Sequence, residues 1–302
     1  MNIKWTLALL FCCTIEANAQ VVTTDIPYIT LDDSINLTFD AALGNGDLSG
    51  VSPVYAHTGI ILSHSINAGD WKNKPSQWGI ANPDVQLNSI GGNLHTMGIN
   101  ITDFYEVGNW NTAFALAFVF RNADGTTVGR NADGSDILIP IFSTTDNLDA
   151  VIMDPIRPGK IVDQGDGFNF EVRTNDPNTL INLYKDGTLI GQSLGDVASA
   201  AISASAFGKF YLSYTAEVGG ETISDTTYYI VRPAITVEDP PSGIEPGINV
   251  VNSTTVTLCL LAPFKEYCYA VGDFSNWEAD PQFYMKRSQD GERYWVTISN
   301  VT

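Results

Sequence analysis

Tryptophans in polar loops are the residues whose type and setting point most directly to chemistry in this sequence. Trp71, Trp78, Trp110 and Trp277 lie in "AGDWKNKPSQWG", "VGNWNT" and "GDFSNWEAD", whereas Trp295 lies in the apolar run "RYWVTI". An indole packs on the flat C–H face of a sugar ring, while neighbouring polar side chains bond to the hydroxyls. The pattern favours a glycan-binding surface; the alternative is that each loop tryptophan folds back and seals the end of a domain.

Catalytic chemistry is not indicated by the same kind of pattern. Glycoside hydrolysis needs two carboxylates at a fixed separation, but most of the 34 acidic residues are explained as turn formers and solvated side chains. His57, His64 and His95 lack the spacing of a zinc motif, and there is no phosphate-binding glycine loop or Gly-x-Ser-x-Gly elbow. We therefore predict no catalytic residue, no metal and no cofactor in these 302 residues.

The first 19 residues are predicted to be an export signal. "MNIK" supplies a positive start, "WTLALLFCC" a short apolar stretch and "ANA" a cleavage site before Gln20. Lipid attachment at Cys12 is the lesser alternative, because Phe11 stands where such signals have a small residue. No later apolar run has the length of a membrane helix, so we expect an exported protein without a membrane span, either secreted, periplasmic or on the outer cell surface.

The charge balance bears on the partners that the protein can have. Lys and Arg number 15 against 34 Asp and Glu, giving a net charge of −19 and no basic stripe for a phosphate backbone. Nucleic acid is therefore not expected as a partner. With 44% hydrophobic residues, the chain can form two or three folded domains.

Two cysteines, Cys259 and Cys268, remain after removal of the signal. They flank a predicted strand–turn–strand, where a disulfide could join them in an oxidising compartment. The alternative is two buried thiols that pack as small hydrophobic groups. A catalytic cysteine is not expected, because no histidine lies near either residue in the sequence.

Short runs of Val, Ile, Thr, Tyr and Phe between Gly, Asn, Asp and Pro turns dominate the chain, and helical periodicity is almost absent. The pattern predicts an all-β fold of tandem β-sandwiches, of the immunoglobulin-like or carbohydrate-binding-module type. "YKDGTL" predicts a hairpin with an Asp-Gly turn. The predicted domains are a sandwich at 21–145, an immunoglobulin-like sandwich at 149–233, a Pro-rich linker at 234–248 and a last sandwich at 249–302.

The last of these domains is predicted to be incomplete. Residues 249–302 are about half of the roughly 100 residues that a sandwich requires. We therefore interpret the sequence as the amino-terminal part of a longer polypeptide. The alternative is that these strands pack on the second domain as an extension of it.

The segment "YAVGDFSNWEADPQFYMKRSQDGERYWVTISNV" closely resembles the amino-terminal β-sandwich of the α-amylase family of glycoside hydrolases, of the family 48 carbohydrate-binding-module type. The resemblance covers only the end of the chain, and Ser275 departs from the usual Asn of the motif. It implies that Trp277 and Asn276 bind glucose, with Trp277 stacking on the ring, or else that Trp277 shapes a junction with a catalytic barrel. The matching residues are Gly272, Asp273, Phe274, Asn276, Trp277, Asp290, Gly291 and Trp295.

The first domain resembles starch-binding modules similar to family 26, more loosely, in "VYAHTGIILSHSINAGDWKNKPSQWG" and "LAFVFRNADGTTVGRNADGSDILIPIF". In modules of that type a strand Tyr and a loop Trp grip maltose. The resemblance implies these roles for Tyr55 and Trp71. The further residues implied near the sugar are His57, Lys72, Lys74 and Trp78.

The middle domain resembles generic immunoglobulin-like spacers. The resemblances together imply an α-glucan-binding part (starch, glycogen or maltooligosaccharide) of an α-amylase-like enzyme, whose catalytic barrel follows carboxyl-terminally. The alternative is a cell-surface adhesin or structural protein of immunoglobulin-like domains without glycan binding. That alternative predicts that Trp71 and Trp277 are buried.

Overall fold

The computed structural model describes residues 20–108 and 112–300, so the predicted export signal and Trp110 lie outside the described residues. Within these ranges the chain is nearly all β-structure, which confirms the predicted all-β class. The helical segments are one short helix, α1 (Ile101–Phe104), and 3₁₀ turns at Pro83–Val85, Asp273–Ser275 and Pro281–Phe283. Over the described ranges, no helix has the length and apolar character needed to cross a membrane.

The first group of strands forms two facing sheets. The strands are β1 (Val22–Thr24), β2 (Ile29–Thr30), β3 (Ser34–Asp40), β4 (Tyr55–Leu62), β5 (Asn88–Gly91), β6 (Leu94–Asn100), β7 (Ala113–Arg121), β8 (Val128–Gly129) and β9 (Ile137–Phe142). One sheet has the order β1-β3-β6-β5, and the other has the order β2-β9-β7-β4 with β8 paired to β7.

The sheet of β4 and β7 is covered on both faces. The sequence of β7 reflects this, because its apolar residues follow one another without alternating with polar ones. Leu116, Phe118 and Phe120 point toward the facing sheet and join the core of the first group. The intervening residues belong to a separate cluster on the outer face. This outer cluster consists of Ile61, Trp71, Ala115, Ala117, Val119, Phe142, Val151, Met153 and Ile156.

The second group also forms two sheets. Its strands are β10 (Ala150–Asp154), β11 (Lys160–Asp163), β12 (Gly167–Thr174), β13 (Leu180–Lys185), β14 (Thr188–Leu194), β15 (Val197–Ser203), β16 (Gly208–Val218) and β17 (Glu221–Arg232). The sheet orders are β10-β12-β15 and β11-β17-β16-β13-β14. The predicted hairpin is present, because Lys185 pairs with Thr188 across Asp186 and Gly187, both at positive φ.

The third group consists of β18 (Gly247–Asn252), β19 (Thr255–Leu261), β20 (Lys286–Arg287) and β21 (Arg293–Ser299). Among the described residues these strands form a single sheet, with the order β18-β19-β21-β20. A small core that includes Tyr294 and Val296 lies on one face, but Ile248, Val250 and Leu260 remain exposed. β18 begins inside the segment predicted as linker, and Val237 of that segment bridges to Arg287.

We predict that Phe120→Ala lowers the free energy of unfolding by about 3–5 kcal/mol, the range for removing a buried phenyl ring. Phe120 stacks on Phe39 of the facing sheet, with ring centroids 4.0 Å apart, so the truncation leaves a cavity between the two sheets. Denaturant unfolding followed by far-ultraviolet circular dichroism measures the change. The matched control is Phe207→Ala, at an exposed ring; equal stability of the two variants would contradict this account.

Candidate functional site

In the first group, the predicted binding residues gather around His57 on the outer face of β4. The imidazole is half-buried between two indoles, with ring centroids 5.6 Å from Trp71 and 5.0 Å from Trp78. Trp78 meets it edge-on, at an interplanar angle of 81°. The fold thus brings together three of the residues that the sequence grouped, although their exposure differs sharply.

Trp71 is part of the core, with 8% of its surface exposed. An isolated antiparallel bridge between Ile60 and Lys72 brings the loop onto β4. Gly59 makes room there, since a Cβ atom at this position would lie 2.8 Å from the Trp71 Cβ. The indole packs in the outer cluster, and its Nε1 donates to Ala68 O at 2.9 Å. The expectation of a surface ring that grips sugar is therefore corrected for Trp71.

Tyr55 is corrected in the same way, because its ring is buried in the core of the first group. The guanidinium of Arg121 lies 5.4 Å from the ring centroid and covers it. The tyrosine therefore supports the site from below and offers no ring face to a ligand.

Of the two described tryptophans in the first group, Trp78 is the one at the surface, with 45% exposed. It rests on Gly125 in the first "RNADG" turn, where a Cβ atom would come within 2.6 Å of the indole Nε1. Gly125 has φ +75°, so the turn requires glycine both for its conformation and for the contact. One face of the ring is thereby fixed on backbone, and the remaining surface is available to a ligand.

Arg121 holds this arrangement together, and sequence reasoning missed it. Its buried guanidinium donates from Nη1 to the carbonyl oxygens of Asn122 and Ala123, at 3.0 Å each, and from Nη2 to Ile80 O at 2.6 Å. The loop that carries Trp78 is thus tied to the turn on which the indole rests. The available sequence signal was an arginine at the end of an otherwise apolar strand.

The two lysines at this site differ in whether their charge is paired with a carboxylate. Lys72 Nζ pairs with Asp70 at 2.8 Å, so its charge is already partnered. Lys74 is exposed, and its Nζ donates to Trp71 O at 3.3 Å. Lys74 is therefore the freer donor at the rim.

In the third group, the "GDFSNW" segment forms a tight turn that carries Trp277 outward. The indole is 70% exposed, and its Nε1 donates to Asp273 Oδ1 at 2.6 Å. Asn276 and Trp277 both have positive φ, 52° and 59°, a conformation that is uncommon for a bulky residue. The turn therefore holds an indole in solvent although its backbone conformation is unfavourable.

Ser275, the departure from the family motif, closes this turn. Its Oγ accepts from Gly272 N and donates to Gly272 O, each at 3.1 Å. The Trp277 amide also donates to Gly272 O, at 2.9 Å. The ring of Phe274 lies against Gly272, where a Cβ atom would be 2.6 Å from it. The orientation of Trp277 is thus fixed by hydrogen bonds within six residues.

The two cysteines are free thiols, so the disulfide alternative is not the one found. Along β19, Leu258 faces the core of the third group, whereas Cys259 pairs with Trp295 and points to the opposite face. Cys268 packs against the Leu258 side. The sheet therefore separates the two sulfur atoms.

No protein-family model matches the chain, and a search of curated proteins finds no match. Among solved structures, this chain is similar to fibronectin(III)-like modules of Clostridium thermocellum CbhA, at 23% identity over 27% of this chain and 93% of that one, with a TM-score of 0.24. It is also similar to a Bacteroides uniformis beta-glucuronidase, at 11% identity over 53% of this chain and 28% of that one, with a TM-score of 0.26.

A chimeric titin Z1Z2 is a third structural neighbour, at 14% identity over 71% of this chain and 98% of that one, with a TM-score of 0.23. Because all three TM-scores are below 0.5, the matches bear on neither binding nor activity. The resemblance to carbohydrate-binding modules rests on the sequence motifs alone.

We predict that stability falls as the pH is lowered through about 6.5, the ordinary histidine pKa. Burial, and secondarily the charge of Arg121, lowers the pKa of His57, and burial also lowers the pKa of His95. Between the ordinary histidine pKa and the lowered pKa of the folded chain, the unfolded chain binds more protons than the folded chain does, so acidification favours unfolding. Urea unfolding at a series of pH values measures the effect.

His57→Gln should flatten this pH dependence, leaving the part due to His95. The matched control is His64→Gln, which removes an exposed imidazole. A His57→Gln variant with the same pH slope as the wild type would contradict the assignment.

Both thiols should react with iodoacetamide in denaturant without a reductant, because neither is bridged. The chain beginning at Gln20 should therefore gain two alkyl groups, read by intact mass. A parallel sample treated with reductant first serves as the control. Alkylation seen only after reduction would establish the disulfide instead.

Proposed function

We propose that this chain binds α-glucan through exposed tryptophans and forms the non-catalytic amino-terminal modules of a starch-degrading, α-amylase-like enzyme. The observation that carries the proposal is Trp277, an indole held 70% exposed on a hydrogen-bonded turn of uncommon backbone conformation. A large apolar ring in water adds little to folding, and strained backbone is concentrated at functional sites. Its fixed face suits stacking on the C–H face of glucose.

Trp78 supports the same proposal at a second place. Its partly exposed ring stands beside His57, with Lys74 at the rim. The neighbouring polar groups can bond sugar hydroxyls, which leaves Trp71 and Tyr55 as the buried support. Two separate platforms on one chain raise the apparent affinity for a long polymer through effective concentration, even where each is weak alone.

A larger parent protein is part of the proposal. The exposed apolar row of Ile248, Val250 and Leu260 on the third sheet supports a further layer that covers this face. The motif around Trp277 resembles modules that precede a catalytic barrel, and we place such a barrel carboxyl-terminal to residue 302 in the proposed parent. The proposal includes export, with cleavage of the signal before Gln20, because export delivers the modules to a compartment where extracellular glucan is available.

A structural or adhesive role without glycan binding is the second candidate, and the burial of Trp71 favours it. That role predicts indoles that seal the domains, and Trp71 covers an apolar sheet face in this way. The structural role also predicts a buried Trp277, but this indole is exposed. A glycan titration separates the two candidates.

We predict that Trp78→Ala and Trp277→Ala each weaken maltoheptaose binding about tenfold, or about 1.4 kcal/mol, the order expected for one stacking ring. The physical reason is loss of the ring face without loss of core packing. Isothermal titration calorimetry and mobility in a starch-containing native gel measure the effect.

The matched control is Phe264→Ala, which removes a fully exposed ring from the third group, and cellohexaose is the control ligand. Equal maltoheptaose affinity of the wild type and the Trp78→Ala/Trp277→Ala double variant would refute these platforms. Absence of binding by the wild type would favour the structural role.

A further inference from the structure

The turn that carries Trp277 is attached to the second group of strands by an ion pair. Glu278, the chain neighbour of Trp277, pairs through Oε2 with Lys209 Nζ of β16 at 2.5 Å. The lysine side chain is largely buried at this contact, whereas the glutamate remains partly exposed. A mostly desolvated cation that meets a carboxylate fixes the position of the turn more firmly than a fully exposed pair would.

Lys209 lies against two tyrosines on the outer face of the same sheet. Its Nζ is 4.0 Å from the ring centroid of Tyr228 and 5.5 Å from that of Tyr211. Tyr211 and Tyr228 are direct partners across β16 and β17. Tyr228 is buried, but Tyr211 is 49% exposed. The lysine that anchors Glu278 therefore also borders a second exposed aromatic ring.

The backbone beneath Tyr211 is fixed as well. Its N–H donates to Asp186 Oδ1 at 2.9 Å, and its carbonyl oxygen accepts from Asp186 N at 2.9 Å. Asp186 belongs to the tight β13–β14 hairpin turn, so the reciprocal bonds join this turn to β16. The ring consequently stands on a rigid base and has an acidic residue close to it.

Arg232 makes a second contact between the second and third groups at this end. Arg232, at the end of β17, pairs with Glu266, and its guanidinium lies 4.6 Å from the ring centroid of Tyr267. Its Nε also pairs with Asp163 at 2.8 Å, within the second group. Since Arg232 and Lys209 lie at the same end of neighbouring strands, they clamp one segment of the third group at two points.

We infer that Tyr211 supplies a second ring to the glucan surface of Trp277, so that this surface spans the second and third groups. The inference rests on the proposed function. Because the two rings belong to different groups, the ligand that uses both is an extended α-1,4-glucan chain and not a single glucose. Polar residues adjoin both rings: Asn276 and Glu278 are the chain neighbours of Trp277, and Asp186 Oδ1 accepts from the Tyr211 N–H.

The test is calorimetry of Tyr211→Ala in a Trp78→Ala background, which removes the platform of the first group. Maltoheptaose should bind about fivefold more weakly than to the Trp78→Ala parent, the order expected for one stacking ring. Tyr211→Phe should retain the parent's affinity for maltoheptaose, because it keeps the ring.

The matched control is Phe207→Ala in the same background, at an exposed ring of the second group that lies just before β16. Unchanged maltoheptaose affinity in Tyr211→Ala, with Trp277→Ala still weakening it, would overturn the inference and leave the proposed function standing. No binding by the parent or the wild type would remove the proposed function itself.

Thermal unfolding of each variant guards against an effect on folding. If Tyr211→Ala lowers the midpoint, Tyr211→Leu decides the question, because it keeps apolar volume and lacks a ring. A Tyr211→Leu variant that matches the parent in maltoheptaose affinity would overturn the inference. A Tyr211→Leu variant that binds about fivefold more weakly, as expected for a lost stacking ring, would support it.

Discussion

A sheet with two apolar faces is the constraint on which the arrangement of the first two groups depends. The inner face of β4 and β7 is covered by the facing sheet, but the outer face presents a shallow floor of Gly59, Ala115 and Ala117. Covering it removes apolar surface from water, at about 25 cal/mol per Å². Trp71 and side chains of β10 supply that cover. The same cluster therefore buries a loop tryptophan and packs the second group against the first.

This constraint gives the two neighbouring tryptophans different positions, one buried and one at the surface. Because Trp71 packs on the outer sheet face, His57 is enclosed beside it and Trp78 lies at the edge. Arg121 makes the rim rigid, because its buried donors satisfy carbonyl groups of two separate loops. A buried guanidinium is tolerated only when such partners surround it. The surface ring is thus positioned by a polar network beneath it.

The third group presents the opposite situation. Its sheet keeps an exposed apolar row, and its most exposed indole is held by local hydrogen bonds against backbone strain. What orients this turn toward the rest of the chain is charge: Lys209 and Arg232 contact Glu278 and Glu266 across the boundary between groups. The candidate surfaces in the two halves are therefore positioned in different ways: the first by packing of Trp71 together with the buried hydrogen bonds of Arg121, and the second by ion pairs.

The sequence by itself determined the all-β class, the Asp186-Gly187 hairpin and the presence of an aromatic turn at Gly272–Trp277. These features depend on residues a few positions apart, whose backbone preferences act locally. Only the tertiary structure decided that Trp71 is buried and Trp277 exposed, that Arg121 supports the loop of Trp78, and that Tyr211 stands exposed beside Lys209. Those outcomes depend on contacts between distant residues, such as Lys209 with Glu278, 69 positions away. Local pattern cannot report them, because cover and charge partners are supplied by whichever strands the fold brings together.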